Sequence, residues 1–75
     1  MPLFHRQKTQ PIPEPFTAND IRIEQSICTG ERTIGFYDKK EHKLRFAELI
    51  RTDTDITRFF RTYGLERPAH IPGEE

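Results

Sequence analysis

The stretch Thr52 to Leu65, TDTDITRFFRTYGL, constrains this chain more than any other. Ile56, Phe59, Phe60 and Tyr63 fall at i, i+3, i+4 and i+7, which on a helix gathers them into a single apolar stripe. A helix with one such face must bury it against a second layer. Its ends are also legible. Thr52 or Asp53 suits the N-cap, Thr52 with Asp55 three residues on has capping-box spacing, and Asp53, Asp55, Arg58 and Arg61 are distributed as the macrodipole favours. Gly64 is placed to take the left-handed conformation after the last helical residue, with Leu65 folding back onto Phe60 in a Schellman ending.

The second layer is written upstream. From Asp20 onward, IRIEQSIC alternates Ile21, Ile23 and Ile27 with Arg22, Glu24, Ser26 and Cys28, the pattern of a half-buried strand. Gln25 falls on the inward parity, so its amide needs a partner or an uncovered part of the sheet. After a short turn over Thr29, Gly30 and Glu31, RTIGFYD places Ile34 and Phe36 on one side and Thr33, Gly35 and Tyr37 on the other. Strands joined so tightly are antiparallel. Asp38 to His42, DKKEH, lacks glycine and reads as a four- or five-residue loop built on a type I turn. In KLRFAELI, Leu44 and Phe46 face inward by parity, but Leu49 and Ile50 cannot both follow. A bulge near Ala47 or Glu48, or a strand that ends at Glu48, would reconcile them.

The predicted fold class is therefore α+β: a three-stranded antiparallel β-meander packed against one C-terminal α-helix, β-β-β-α in two layers, over residues 20–66. Its expected core is Ile21, Ile23, Ile27, Ile34, Phe36, Leu44, Phe46, Ile56, Phe59 and Phe60. Residues 1–19 carry Pro2, Pro11, Pro13 and Pro15 and read as a proline-rich, mostly disordered arm. Phe16 and Ile12 are expected to lap onto the domain edge while Phe4 stays in solvent. The alternative is a docking peptide in polyproline II form, although P-I-P-E-P lacks PxxP spacing. Residues 67–75 read as a flexible tail.

Seventy-five residues leave room for one domain that buries a low fraction of its surface, which favours a partner. Twelve basic and 12 acidic residues cancel, so no global field draws the chain onto a polyanion. Cys28 is alone, which excludes an intramolecular disulfide and suits a reducing compartment. MPLFHRQKTQ lacks the apolar run of a signal peptide, and a cytoplasmic location without membrane association is expected.

No catalytic, metal or cofactor constellation emerges. His5, His42 and His70 lack a second ligand at i+3 or i+4, and Cys28 lacks an activating neighbour in sequence. Asp53 and Asp55 are accounted for by capping, and one helix over three strands leaves little depth for a pocket. A non-enzymatic interaction module is expected, binding an unidentified protein partner or a second copy through the open sheet face around Tyr37 and Arg45, or through an edge strand. The alternative is weak nucleic-acid binding by a basic patch of Lys39, Lys40, Lys43 and Arg45 with Arg58 and Arg61, Tyr37 stacking on a base. In outline, a short domain between proline-rich ends resembles small bacterial accessory proteins of mobile elements, without diagnostic residues, and nothing is carried over from that likeness.

Overall fold

The apolar stripe forms the helix that its spacing implies. In a computed structural model, which describes residues 9–74, it runs as α1 (Asp53–Thr62) and buries Ile56, Phe59 and Phe60. The Asp55 carboxylate accepts the backbone N–H groups of Arg51 at 2.8 Å and Thr52 at 3.0 Å, so two amides at the helix entry find a partner. At the other end Gly64 has φ +70°, the Leu65 N–H donates to the Phe60 carbonyl at 2.9 Å and the Gly64 N–H to that of Arg61 at 3.0 Å, a complete Schellman pair.

The sheet beneath it consists of β1 (Ile21–Gln25), β2 (Arg32–Asp38) and β3 (Lys43–Ile50), antiparallel throughout and in the order β1-β2-β3. Ile23 pairs with Ile34 and Ile21 with Phe36, which stacks the β1 and β2 apolar residues on the helix side. Phe36 and Phe59 are fully buried with ring centroids 5.7 Å apart, and Tyr63 meets Phe36 edge-on at 5.1 Å. The two-layer β-β-β-α architecture is thus the one the alternation predicts.

Three expected core positions, Ile27, Leu44 and Phe46, lie elsewhere or only partly inside. Ile27 is fully exposed because β1 ends at Gln25 and Ser26 closes the turn, accepting from Gly30 and donating to Glu31. The alternation continues in the sequence past the point where pairing stops. Cys28 accordingly lies on this exposed turn and not on a strand face. Gln25 is exposed, and its amide donates to the Gly30 carbonyl at 3.2 Å.

The other departures come from a β-bulge. Ile34 faces Glu48 but Phe36 faces Arg45, so three steps on β3 match two on β2, and Phe46 sits in the left-handed region at φ +55°. Gly35 lies opposite the extra residue. A Cβ there would come within 2.9 Å of the Arg45 carbonyl oxygen and 3.0 Å of the Ala47 Cα, so β3 can approach only a glycine. The bulge reverses parity along the first half of β3. Leu44 therefore pairs with Tyr37 on the side away from the helix and is half-buried, while Phe46 is 56% exposed and meets Phe16 edge-on at 6.4 Å. Beyond the bulge, Ile50 faces the core and Leu49 does not.

Both flanks pack. Phe16 stacks on Phe36 at 5.8 Å, Ile12 lies against the core, and the Gln10 N–H donates to the Thr62 carbonyl at 2.7 Å, so residues 10–16 run along the domain as an ordered strap. Thr17 and Asp20 then cap a single 3-10 turn, Ala18–Asp20, that leads into β1. The placement expected for Phe4 lies outside the described residues. The C-terminal segment is not the free tail its composition implies. Ile71 is 1% exposed in the core, the Ile23 N–H donates to the Pro72 carbonyl at 2.8 Å, and Arg67 bridges Asp53 at 2.8 Å and Glu74 at 3.1 Å. Two prolines and a glycine here set the path of a packed segment, and a single isoleucine anchors it.

Candidate functional site

With the helix on one side, the alternation leaves Arg22 and Glu24 of β1, Thr33 and Tyr37 of β2, and Leu44, Ala47 and Leu49 of β3 on the opposite side of the sheet. No element among the described residues covers this face. At one end of it the Arg22 guanidinium lies 4.5 Å from the centroid of the Tyr37 ring, and Arg22 Nε is buried without a hydrogen-bond partner. At the other end Leu49 is 38% exposed. The face is thus a half-apolar surface with one fixed cation.

The sheet edges are less accessible than its face. The outward N–H of Ile23 on β1 is taken by Pro72. On β3 the bulge twists the strand, and Lys43, Arg45 and Glu48 are all exposed along it, features that oppose pairing with another chain.

The residues expected to bind a partner fall into separate groups. Tyr37 is half-buried on the open face, its hydroxyl 3.5 Å from His42 Nδ1. Arg45 does not flank it, because the register sets Arg45 opposite Phe36 on the other side, where it bonds the Asp38 carboxylate at 3.3 Å. That carboxylate also accepts the backbone N–H groups of Lys40 at 2.9 Å and Glu41 at 3.2 Å, which shapes the turn carrying Lys39 and Lys40. Burial pushes the Asp38 carboxyl up, but the Glu41 and Lys40 amides and Arg45 outweigh it and hold it below the ordinary carboxylate range. Lys43 opens β3 opposite Asp38.

Arg58 and Arg61 project from the outward side of α1, where with Thr54 and Thr57 they line a shallow depression. Arg58 pairs with Asp55 at 3.0 Å. The core separates these arginines from Arg22 and Tyr37, so the basic side chains do not form one patch that includes the aromatic ring. Sequence reasoning missed Arg22 as Tyr37's neighbour. Once β1 and β2 are put in register it sits opposite Gly35, diagonal to Tyr37.

Among the described residues no group of three or more His, Cys, Asp or Glu side chains is arranged to hold a metal ion, and no helix is long and apolar enough to cross a membrane. No family model matches the chain, and no curated protein or solved structure matches it either.

Proposed function

We propose that this chain is a small non-enzymatic interaction module that engages a protein partner or a second copy of itself through the open face of its sheet. The observation that carries this reading is the contrast between face and edges. Pro72 blocks β1 and a charged bulge disfavours pairing at β3, while Leu44, Ala47 and Leu49 lie side by side on the uncovered face. Arg22 and Glu24 stand two residues apart on that face and give a second copy, related by a two-fold axis, a reciprocal ion pair.

Solution mass measured by sedimentation equilibrium over a wide concentration range tests this. Self-association that weakens in Leu49→Glu and ignores an added mixed-sequence oligonucleotide supports the open face. A monomer that shifts with the oligonucleotide only at low salt, and loses that shift in the combined Lys39→Ala, Lys40→Ala and Arg58→Ala variant, would favour nucleic-acid binding instead. The segregation of the arginines of α1 from Tyr37 weighs against that second reading, because one strand cannot stack on Tyr37 and reach Arg58 and Arg61 together.

A further inference from the structure

β1 begins opposite Phe36, so β2 runs on past it through Tyr37 and Asp38. The chain entering β1 lies alongside this overhang and leaves a groove of about 380 Å³ between the two. Its size is within the range of small binding pockets, roughly 300 to 1,000 Å³. Pro15, Phe16 and Tyr37 give it an apolar wall, and Lys39 and Lys40 stand at its rim. A smaller depression of about 150 Å³ shares Asp20, Tyr37 and Lys39 with it and continues past Arg22 to Pro72. The two form one channel across the end of the sheet.

Cations outnumber carboxylates in and beside this channel: Lys39, Lys40 and Arg22 line it with Asp20 and Asp38, and Asp38 is paired with Arg45. Both carboxylates in its walls are already engaged by the chain. Asp20 accepts from the Thr17 N–H at 2.8 Å and hydroxyl at 3.4 Å, and Asp38 accepts from two backbone amides and from Arg45. Lys39 and Lys40 make no side-chain hydrogen bond or ion pair among the described residues, and both are exposed. An apolar wall beside two uncommitted ammonium groups matches a ligand that presents an apolar side chain next to carboxylates.

We propose that this channel is a docking site for an extended acidic peptide of a partner protein, with one aromatic or aliphatic side chain against Pro15, Phe16 and Tyr37 and flanking carboxylates on Lys39 and Lys40. A nucleic-acid strand fits less well. Arg22 already lies over the Tyr37 ring on which a base would stack. The proposal deepens the interaction-module reading by giving a partner its chemistry. The two fail separately, because solution mass reports on the sheet face and Leu49 takes no part in the channel.

The test is a nuclear magnetic resonance titration of the isotope-labelled full chain. The probe is an acetylated, amidated peptide with a single phenylalanine flanked on each side by two glutamates. Saturable shifts are expected at the Asp20, Tyr37 and Lys40 amides, with a dissociation constant below about 1 mM. The double variant Lys39→Glu with Lys40→Glu should weaken binding roughly ten-fold or more, whereas Arg58→Glu should leave it unchanged. Absence of saturable shifts overturns the proposal, as does equal binding of a probe with lysines in place of the glutamates. An oligothymidylate that binds the same amides more tightly than the peptide would overturn it in favour of nucleic acid.

Discussion

Replacing Gly73 by alanine should destabilise the fold, although Gly73 is an exposed residue followed by only Glu74 and Glu75 in the sequence. Its φ is +84°, a conformation that costs an L-residue about 1 to 2 kcal/mol, and a Cβ there would run into the Ile23 carbonyl. The segment can escape this collision only by moving off β1. The loss is therefore capped by what the segment contributes: burial of Ile71, about 1.5 to 3 kcal/mol, and the Ile23–Pro72 hydrogen bond, about 0.5 to 1.5 kcal/mol. A loss of about 2 to 4 kcal/mol follows, a large part of the stability of roughly 4 to 11 kcal/mol typical for 75 residues. Urea unfolding followed by circular dichroism measures it. With a slope of about 1 kcal/mol/M, the midpoint should fall by about 2 M or more, and the Ile23 amide should lose protection from hydrogen exchange. Gly30→Ala is the control for backbone strain alone, since Gly30 has φ +78° but no atom within 4 Å of the added carbon. A Gly73→Ala midpoint at or above that of the unsubstituted chain would refute the packed segment and restore a free tail.

Other substitutions probe the core, the bulge and the electrostatics. Phe59→Ala, which removes a fully buried ring from the helix stripe, should cost about 3 to 5 kcal/mol in the same urea assay. Gly35→Ala should cost about 1 to 3 kcal/mol despite alanine's lower backbone entropy, because the added carbon meets backbone atoms of β3. Phe46→Gly should be nearly neutral, since relief of its positive φ offsets loss of the Phe16 contact, whereas Phe46→Val should be clearly destabilising. Acid should weaken the fold. The Arg51 and Thr52 amides hold the Asp55 carboxyl below its ordinary value of 3.8, and a hydrogen bond from Arg67 does the same for Asp53. Groups lowered on folding contribute stability that is present above the unfolded value and lost as pH falls through the folded one. The melting temperature should therefore be flat near neutrality and drop below about pH 4, and Asp55→Asn should reduce that drop.

How much of this was legible depended on whether one local period held. The helix was readable at both ends because its stripe, capping box and terminal glycine agree, and each is satisfied within a few residues. The C-terminal segment was not. Ile71 stands alone among prolines, a glycine and charges, and its burial depends on the free edge of β1 and on the core cluster that includes Phe60, which only the assembled domain supplies. Arg67, which ties that segment to Asp53 and Glu74, likewise has no periodic neighbour to reveal it. Composition identifies residues suited to a tail but says nothing of a vacancy elsewhere in the fold.

The third strand was legible in part, and the missing part determines what the open face presents. Continued back from Ile50 without interruption, the alternation sets Glu48, Phe46 and Leu44 on the helix side and turns Lys43, Arg45, Ala47 and Leu49 toward the open face. The extra residue at Phe46 exchanges the near half, so that Leu44 joins Tyr37 on the open face while Arg45 crosses to Asp38. The hint in the sequence was Gly35, a residue poorly suited to a strand interior unless another backbone must come close. Removing two cations, Lys43 and Arg45, from the open face and adding a leucine makes that face more apolar than the sequence alternation implies. A bulge that strains a phenylalanine backbone thus has two effects: it disfavours pairing at the β3 edge and makes the adjoining face more apolar.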